Sequence, residues 1–541
     1  MGSQDNLPMT AAELARGRAE LVTARGRERL RLILAQRDPK ALVQALPADE
    51  LYWTILEIGL GDAAELVRLS SPGQFRTLLD LACFAGNRPT PRRALPFLRA
   101  ARSGAMHSTV AAARAKAKLA LIDMELIELL LLETLRVHDL REDPDPDLVS
   151  DRFMRTPENC FIVEFLVDGA DYAAIRGLID DLYAESPFRA TRLLSSVRWE
   201  LQSELEESAL RWRTGRLADL GYPSLEEALS WFAAPKALSG ARAGLPARPP
   251  GFFLERLGKG SLLARAAARL SSPEREHLEL ELVTAANAAI VADAVDPGDL
   301  EAVRHAVEMA RTFVELGLEE VANGDEEEAS RSLAAMPVKA LFHHGFGRVL
   351  KLNWRAERLL AQGRAGHPGA PFIDPPLGEA LSALVRRRPL YFPGIETARE
   401  TWGGIASGAF EPRAFLSSAE VHRTARALLL AEGLVDLARR LGLAPPRWDV
   451  PPSLVTLFLT ALANERLGRS FVPEPIPAAE LPAAARALER IEDARLLAQG
   501  EPGGLLASMA RVKAEELAPI RAGEPIHPEH VTALLLNLPR H

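Results

Sequence analysis

Apolar residues recur at intervals of three and four along most of the chain, which is the period of an amphipathic helix rather than of a strand. From Ala11 to about Arg37, Leu14, Leu21, Leu30, Ile33 and Leu34 trace one stripe on an Arg-rich background and predict a polar helix lying against a packed unit. Helices are expected again from about Tyr172 to Ala234 and from Ser261 to about Gln362, the latter including Glu276–Ala294 and Leu300–Val321. Further helical patterns run over Ser418–Gly442, Ser453–Leu467, Ala478–Gln499 and Gly504–Ile520.

The clearest internal echo aligns Leu46–Ile58 with Leu69–Leu81, an offset of 23 residues. Each copy has a turn, then an aromatic (Tyr52 or Phe75), two residues later a Thr (Thr54 or Thr77), two aliphatics, an acid and another aliphatic. One helix face is thereby repeated in one register, and a short helical unit that cannot bury its face alone must stack on its neighbour. The second copy has a start signal with a mechanism: Ser71 can accept from an orphan amide, Pro72 suits the first helical position, and Gln74 completes the capping-box spacing. The Leu-Ser-Ser-Pro string returns at Leu270–Pro273 with Glu274 three residues after Ser271, a recurrence we read as cap chemistry.

Around Arg141 to Asp151 the run Glu142-Asp143-Pro144-Asp145-Pro146-Asp147 interrupts the helical pattern. Beyond it, Arg152–Thr156 and Cys160–Val167 flank Pro157-Glu158-Asn159, and β-branched and aromatic residues dominate the second run, so one β-hairpin is expected there. Gly and Pro crowd residues 236–260, the best linker candidate, and Gly363–Gly378 and Ala444–Pro452 read as loops. The fold class expected is mainly α, a helical-repeat or superhelical array with one small β-hairpin. Its regions are 1–140 (helical repeats), 141–235 (hairpin plus helices), the 236–260 linker and 261–541 (all-helical). Without βαβ alternation, the nucleotide-binding α/β folds are disfavoured.

Composition narrows the function classes. The 541 residues are 48% hydrophobic and 26% charged, but only 6% aromatic, which fits a soluble helical protein built from Ala, Leu, Arg and Glu. With 65 Lys and Arg against 73 Asp and Glu, the net charge of -8 repels nucleic acid and anionic lipid at long range, so neither is an expected partner. Cys83 and Cys160 are too few for a disulfide scaffold or an all-thiolate zinc site and read as small hydrophobes. The most hydrophobic stretch, Leu119–Leu135, carries Asp123, Glu125, Glu128 and Glu133, so it reads as an amphipathic or core helix and membrane insertion is not expected. The Met1–Leu14 segment lacks the pattern of a secretory signal, and a cytoplasmic location is expected.

Candidate chemistry is sparse. Gly258-Lys259-Gly260-Ser261 lacks the spacing of a phosphate loop and reads as a turn opening a helix. The Asp143, Asp145 and Asp147 alternation resembles a calcium loop, yet Leu148 and Met154 stand where Gly and Glu are required. His343 and His344 are adjacent and diverge on a helix, and His527 and His530 lack a third ligand at a defined spacing, so no metal site is expected. Arg386-Arg387-Arg388 is a small basic patch that reads as a solvated helix end in an acidic chain. No catalytic motif and no cofactor signature stands out. Asn287 and Asp293 lie among small apolar residues and, with Glu315, form a candidate polar cleft; helix-to-helix hydrogen bonding is the plainer reading. Asn464-Glu465 ahead of Arg466 poses the same question.

The segments Leu46–Asp80 and Arg211–Ala228, with Asn287–Asp293 and Phe313–Glu319, resemble an uncharacterised family of large, mainly helical bacterial proteins, a likeness that implies no catalytic residue. Leu46–Leu81 is also similar to the intracellular helical domain of bacterial magnesium channels; their membrane helices and nucleotide-sensing modules have no counterpart here. In the 211–228 block, Trp212, Arg213, Arg216 and Asp219 form a candidate interaction or corner site. Trp212, Leu217, Leu220 and Tyr222 are expected to pack, Arg213 and Arg216 to reach acids, Gly221 and Pro223 to end the helix and Ser224 to cap the next, so a structural corner is favoured over a binding site. The leading functional expectation is a scaffold or regulator that binds another protein. The alternatives are a small-ligand or divalent-ion sensor and an enzyme with a helical cleft.

Overall fold

The computed structural model describes residues 10–103, 108–233, 260–364, 373–397, 410–443, 452–524 and 526–537, and the fold is mainly α with small sheets. It divides into two compact units. One comprises Met1–Ala233, Ala237–Arg311 and Val321–Phe342, the other Ala234–Lys236, Thr312–Glu320 and His343–His541. The linker expected at 236–260 lies outside the described residues except for Gly260 and its neighbour Ser261, which caps the Leu262–Ala268 helix by accepting from Ala264 N at 3.1 Å.

In the first unit the two echoed segments fold as the Ala48–Ile58 and Pro72–Ala82 helices and pack on each other, burying Tyr52, Trp53 and Phe75. Ser71 accepts from Gln74 N at 3.1 Å while the Gln74 side chain accepts from Ser71 N at 2.9 Å. The Gln74 amide then donates to the carbonyls of Val43 and Leu46, both at 2.8 Å, so one side chain joins a helix start to the end of the Pro39–Ala45 helix. The single helix expected over Ala11–Arg37 is two, Ala11–Thr23 and Gly26–Leu34, because the chain is extended at Ala24 and Arg25 and turns at Gly26 with φ 47°.

The expected hairpin is present. Phe153–Arg155 pairs antiparallel with Phe161–Phe165, and Asn159 takes the left-handed turn position with φ 54°. A third strand, Leu135–Asp139, pairs with the other edge of Phe161–Phe165. The stretch read as one helix over Leu119–Leu135 is therefore corrected: a helix ends at Leu119, another runs Met124–Thr134, and Leu135 opens a strand. The sheet spans the boundary expected at residue 140. Its centre is Glu164, fully buried on the middle strand. That carboxylate accepts from His138 Nε2 at 3.0 Å, from Val149 N at 2.6 Å and from Ser150 N.

In the second unit, the Leu454–Arg466 helix is buried on every side from Leu454 to Asn464 and packs against Leu481–Ala487 and Gly500–Ala514. Ser418–Arg440 also packs on Gly500–Ala514, at a close approach that Gly433 permits, since a Cβ there would sit 2.6 Å from Pro502. Asn464 is buried and donates to the carbonyls of Val472 and Glu474 at 3.0 and 2.8 Å, the bond that a polar residue in an apolar helix requires. Among the described residues no helix is long and apolar enough to cross a membrane.

Burial alone would raise the Glu164 carboxyl, but the bonds from His138 and the two amides outweigh it and hold it below its ordinary value near 4.5. A depressed carboxyl stabilises the fold above its unfolded-state value, and that contribution is lost as pH falls through the folded value. Glu164→Ala should cost about 2–3 kcal/mol at pH 7 in urea unfolding, by removing the shared acceptor of His138 and of two part-buried amides. The wild type should lose stability on acidification to pH values below that of an ordinary glutamate, and Glu164→Gln should lose less.

Candidate functional site

The 202–219 helix carries the block singled out in the sequence. Its inward stripe is Leu205, Ala209, Arg213 and Leu217, four residues apart each time, so one of four core positions is an arginine. Gly221, at φ 84°, ends the helix, with Tyr222 N returning to Leu217 O at 3.0 Å, and Ser224 caps the next helix by accepting from Glu227 N.

The two arginines find different partners. Arg216 is held by Asp80 through two bonds, of 2.8 and 2.7 Å, and by Asp123, whose carboxylate stands at the start of the Met124–Thr134 helix. Arg213 corrects the expectation that it reaches an acid: its Nε donates to Asp80 O at 2.8 Å and its Nη1 to Gly86 O at 3.2 Å, while the guanidinium lies 4.6 Å from the Phe84 ring centre. It thus satisfies one orphan carbonyl in the last turn of the Pro72–Ala82 helix and the carbonyl of Gly86 beyond that helix. Burial pulls the Arg213 pKa down, and burial pushes the Asp80 carboxyl up despite Arg216. Trp212 is not packed as expected. It is 51% exposed, its indole donating to Glu125 Oε1 at 3.2 Å, and Asp219 is exposed.

Beside Arg213 is a cavity of about 100 Å3. Its walls include Leu81, Leu210, Leu217, Ile290, Val291 and Val295, and its polar lining includes Arg213, Thr214 and Tyr222. Tyr222 is 5% exposed, and its buried hydroxyl has no hydrogen-bond partner among the described residues. Burial drives the Tyr222 hydroxyl strongly upward in pKa, with Asp49 adding to the rise, so it is a neutral donor and acceptor. Asp49 is itself buried and pushed up to about 6 by burial.

Of the expected polar cleft, Asn287 is buried and donates to Gly221 O at 3.2 Å, tying the Ser272–Ala292 helix to the corner. Asp293 is half-buried at the end of that helix, and Glu315, also half-buried, falls in the Thr312–Glu320 segment of the second unit. None of the three lines the cavity. A larger depression of about 560 Å3 in the second unit is lined by Glu396, His422, Arg423, Arg426 and Glu501, and its charges are mutually satisfied: Arg423 pairs with Glu396 and Arg426 with Glu501, each at 2.7 Å. Among the described residues no group of three or more His, Cys, Asp or Glu is placed to hold a metal.

Large apolar side chains stand exposed on the Pro187–Trp199 helix, on the Gln202–Asp219 helix and at the link between them. Phe188, Trp199 and Leu201 are 77%, 66% and 63% exposed, and Trp212 lies on the following helix. Arginines flank both tryptophans, Arg198 at 4.8 Å and Arg211 at 5.7 Å from the ring centres. Sequence reasoning missed Glu128, a buried carboxyl preceding the Leu129–Leu132 run. Burial raises it to about 7, reinforced by Glu200 and Glu125 and opposed by Ser196 and Arg192. An acid beside an uninterrupted apolar run was the signal.

The chain belongs to DUF6178, a family of unknown function whose model matches residues 7–523. No curated protein and no solved structure gives a significant match, so the magnesium-channel likeness gains no support.

Arg216→Met should destabilise the protein by about 3–5 kcal/mol, since it strands Asp80 in a buried site, and Asp80→Asn in the same chain should recover part of the loss; a denaturant double-mutant cycle measures both. A carboxyl raised in the folded state disfavours folding as pH climbs from its unfolded value toward its folded one. Stability should therefore fall from about pH 4.5 to about pH 7 on account of Glu128, and Glu128→Gln should flatten that slope, by up to about 3 kcal/mol, in melts across the same range.

Proposed function

We propose that this protein works by binding another protein, as a scaffold or regulator, through the exposed aromatic surface formed by Phe188, Trp199, Leu201 and Trp212. The observation that carries the reading is the surface placement of Trp199 and Trp212, two of the three tryptophans exposed among the described residues, in a chain only 6% aromatic. Exposed Trp flanked by Arg has the composition of the energetic centre of an interface, and exposed apolar area of this kind marks interaction sites more often than it serves the monomer. The acidic balance of the chain makes a protein a better partner than nucleic acid. A cytoplasmic location is part of the proposal, as is the view that the paired 48–58 and 72–82 helices belong to a stacked helical array.

A small-ligand sensor is the second reading, favoured by the Arg213 and Tyr222 cavity. The enzyme reading has less support, because Asn287 is committed to Gly221.

The test is co-purification from the source cells with wild-type protein and with a Trp199→Ala/Leu201→Ala variant, followed by reconstitution with the purified partner. A reproducible partner bound at least about 30-fold more weakly by the variant is the expected outcome. Equal recovery by both proteins, with no protein specific to the wild type, would count against the reading.

A further inference from the structure

The exposed apolar residues of the Pro187–Trp199 helix lie along a line. Phe188 and Trp199 are eleven positions apart, about three full turns, so they share one face at a separation of about 16 Å, and exposed Leu201 follows in the link. Carboxylates crowd the Trp199 end. Glu200, Glu204 and Glu207 are exposed and Glu206 is half-buried in the chain between the two tryptophans. Glu125 joins them from the Met124–Thr134 helix, which packs against both tryptophan-bearing helices. None of these carboxylates has an ion-pair partner among the described residues: Glu206 accepts from the Gln202 amide at 2.7 Å and Glu125 from the Trp212 indole. Arg198 is spent on Glu142 and Asp139, which leaves Arg192 and Arg211 outnumbered by acids. Glu128, beneath, reports the imbalance, since Glu200 and Glu125 both add to the rise that burial gives its carboxyl.

We propose that the occupant of this surface is a basic amphipathic helix of a partner protein, its apolar stripe covering Phe188, Trp199 and Leu201 and its lysines or arginines meeting Glu125, Glu200 and Glu204. The inference rests on the docking reading given above and names the partner's chemistry. Two properties select that class. Apolar anchors three turns apart on a straight helix face match the i, i+3, i+4 stripe of another helix, and they are too far apart for a small cation such as a polyamine to cover. The surplus of unpaired carboxylates at one end rewards cations and repels an acidic segment, which gives the contact its specificity and speeds the encounter. The faces of both tryptophans already lie near Arg198 and Arg211, so the incoming cations pair with the carboxylates rather than with the rings.

The experiment titrates the full chain into dye-labelled synthetic amphipathic helices and reads fluorescence anisotropy. The probes are a Leu/Lys peptide, a Leu/Glu peptide of the same pattern and a Ser/Lys peptide that keeps the charge without the apolar stripe. The Leu/Lys peptide should bind saturably, more weakly as salt rises, and the other two at least about tenfold more weakly. Glu200→Gln/Glu204→Gln alters exposed side chains only, so the protein keeps its fold, and it should weaken the Leu/Lys peptide about tenfold or more, as should Trp199→Ala/Leu201→Ala. Glu489→Gln/Glu524→Gln removes the same charge from exposed positions of the second unit and should leave the affinity unchanged. The proposal is overturned if no Leu/Lys binding is seen, if the Leu/Glu peptide binds as tightly, or if the Glu489/Glu524 pair matters as much as Glu200/Glu204. If Trp199→Ala/Leu201→Ala weakens binding while Glu200→Gln/Glu204→Gln does not, the basic partner is overturned and the aromatic docking reading stands.

Discussion

The first unit is organised by two arginines three residues apart on one helix. A guanidinium is the one cation that satisfies several acceptors in a fixed plane, and here each bridges two separate segments. Arg216 binds two carboxylates, one on a second helix and one capping the start of a third, and Arg213 binds a carbonyl in the last turn of the Pro72–Ala82 helix and the carbonyl of Gly86 beyond it. These bonds fix the azimuth of the 202–219 helix. With Arg213 pinned inward, Trp212, about 100° around the helix axis, has only the rim available, where it meets Glu125. The cavity follows from the same constraint, because the helix is held by polar bonds at a distance that its leucines do not fill.

In an Ala- and Leu-rich chain with few aromatics, buried polar side chains do much of the joining between elements. Gln74, Asn287 and Asn464 each sit in a helix, and each donates to the carbonyl of a neighbouring turn or helix end. Thr460 does the same work in reverse, accepting from Leu535 N at 3.0 Å. The carbonyls at helix ends need donors, and flat apolar faces of Ala and Leu slide easily, so a polar side chain both satisfies the end and selects one register.

Much of this was legible before any coordinates. Ser71, Pro72 and Gln74 announce a helix start because the cap is local chemistry, and Gly221 and Ser224 announce a corner for the same reason. The hairpin was legible because Phe161–Phe165 is rich in residues that suit a pleated surface. The Leu135–Asp139 strand was not, since five residues after an apolar helix carry too little alternation, and only pairing with Phe161–Phe165 makes them a strand. The partner of Arg213 was hidden for a different reason: backbone carbonyls have no letter in a sequence. A cavity has none either, being what several distant segments fail to fill, whereas Glu128 was visible as a carboxyl beside four leucines.

The buried carboxylate of Glu164 also bears on the acidic, proline-containing connection between the first two strands of the small sheet. Residues 140–152 form one closed loop in covalent terms, but the bonds to Val149 N and Ser150 N fasten it near its far end. Closure entropy grows only slowly with loop length, so the span of this segment adds little to the cost of ordering it. Anchoring it at 149 and 150 leaves Asp143, Asp145 and Asp147 exposed outside the sheet, with Glu142 paired to Arg198, while the strand that follows enters the sheet in a single register.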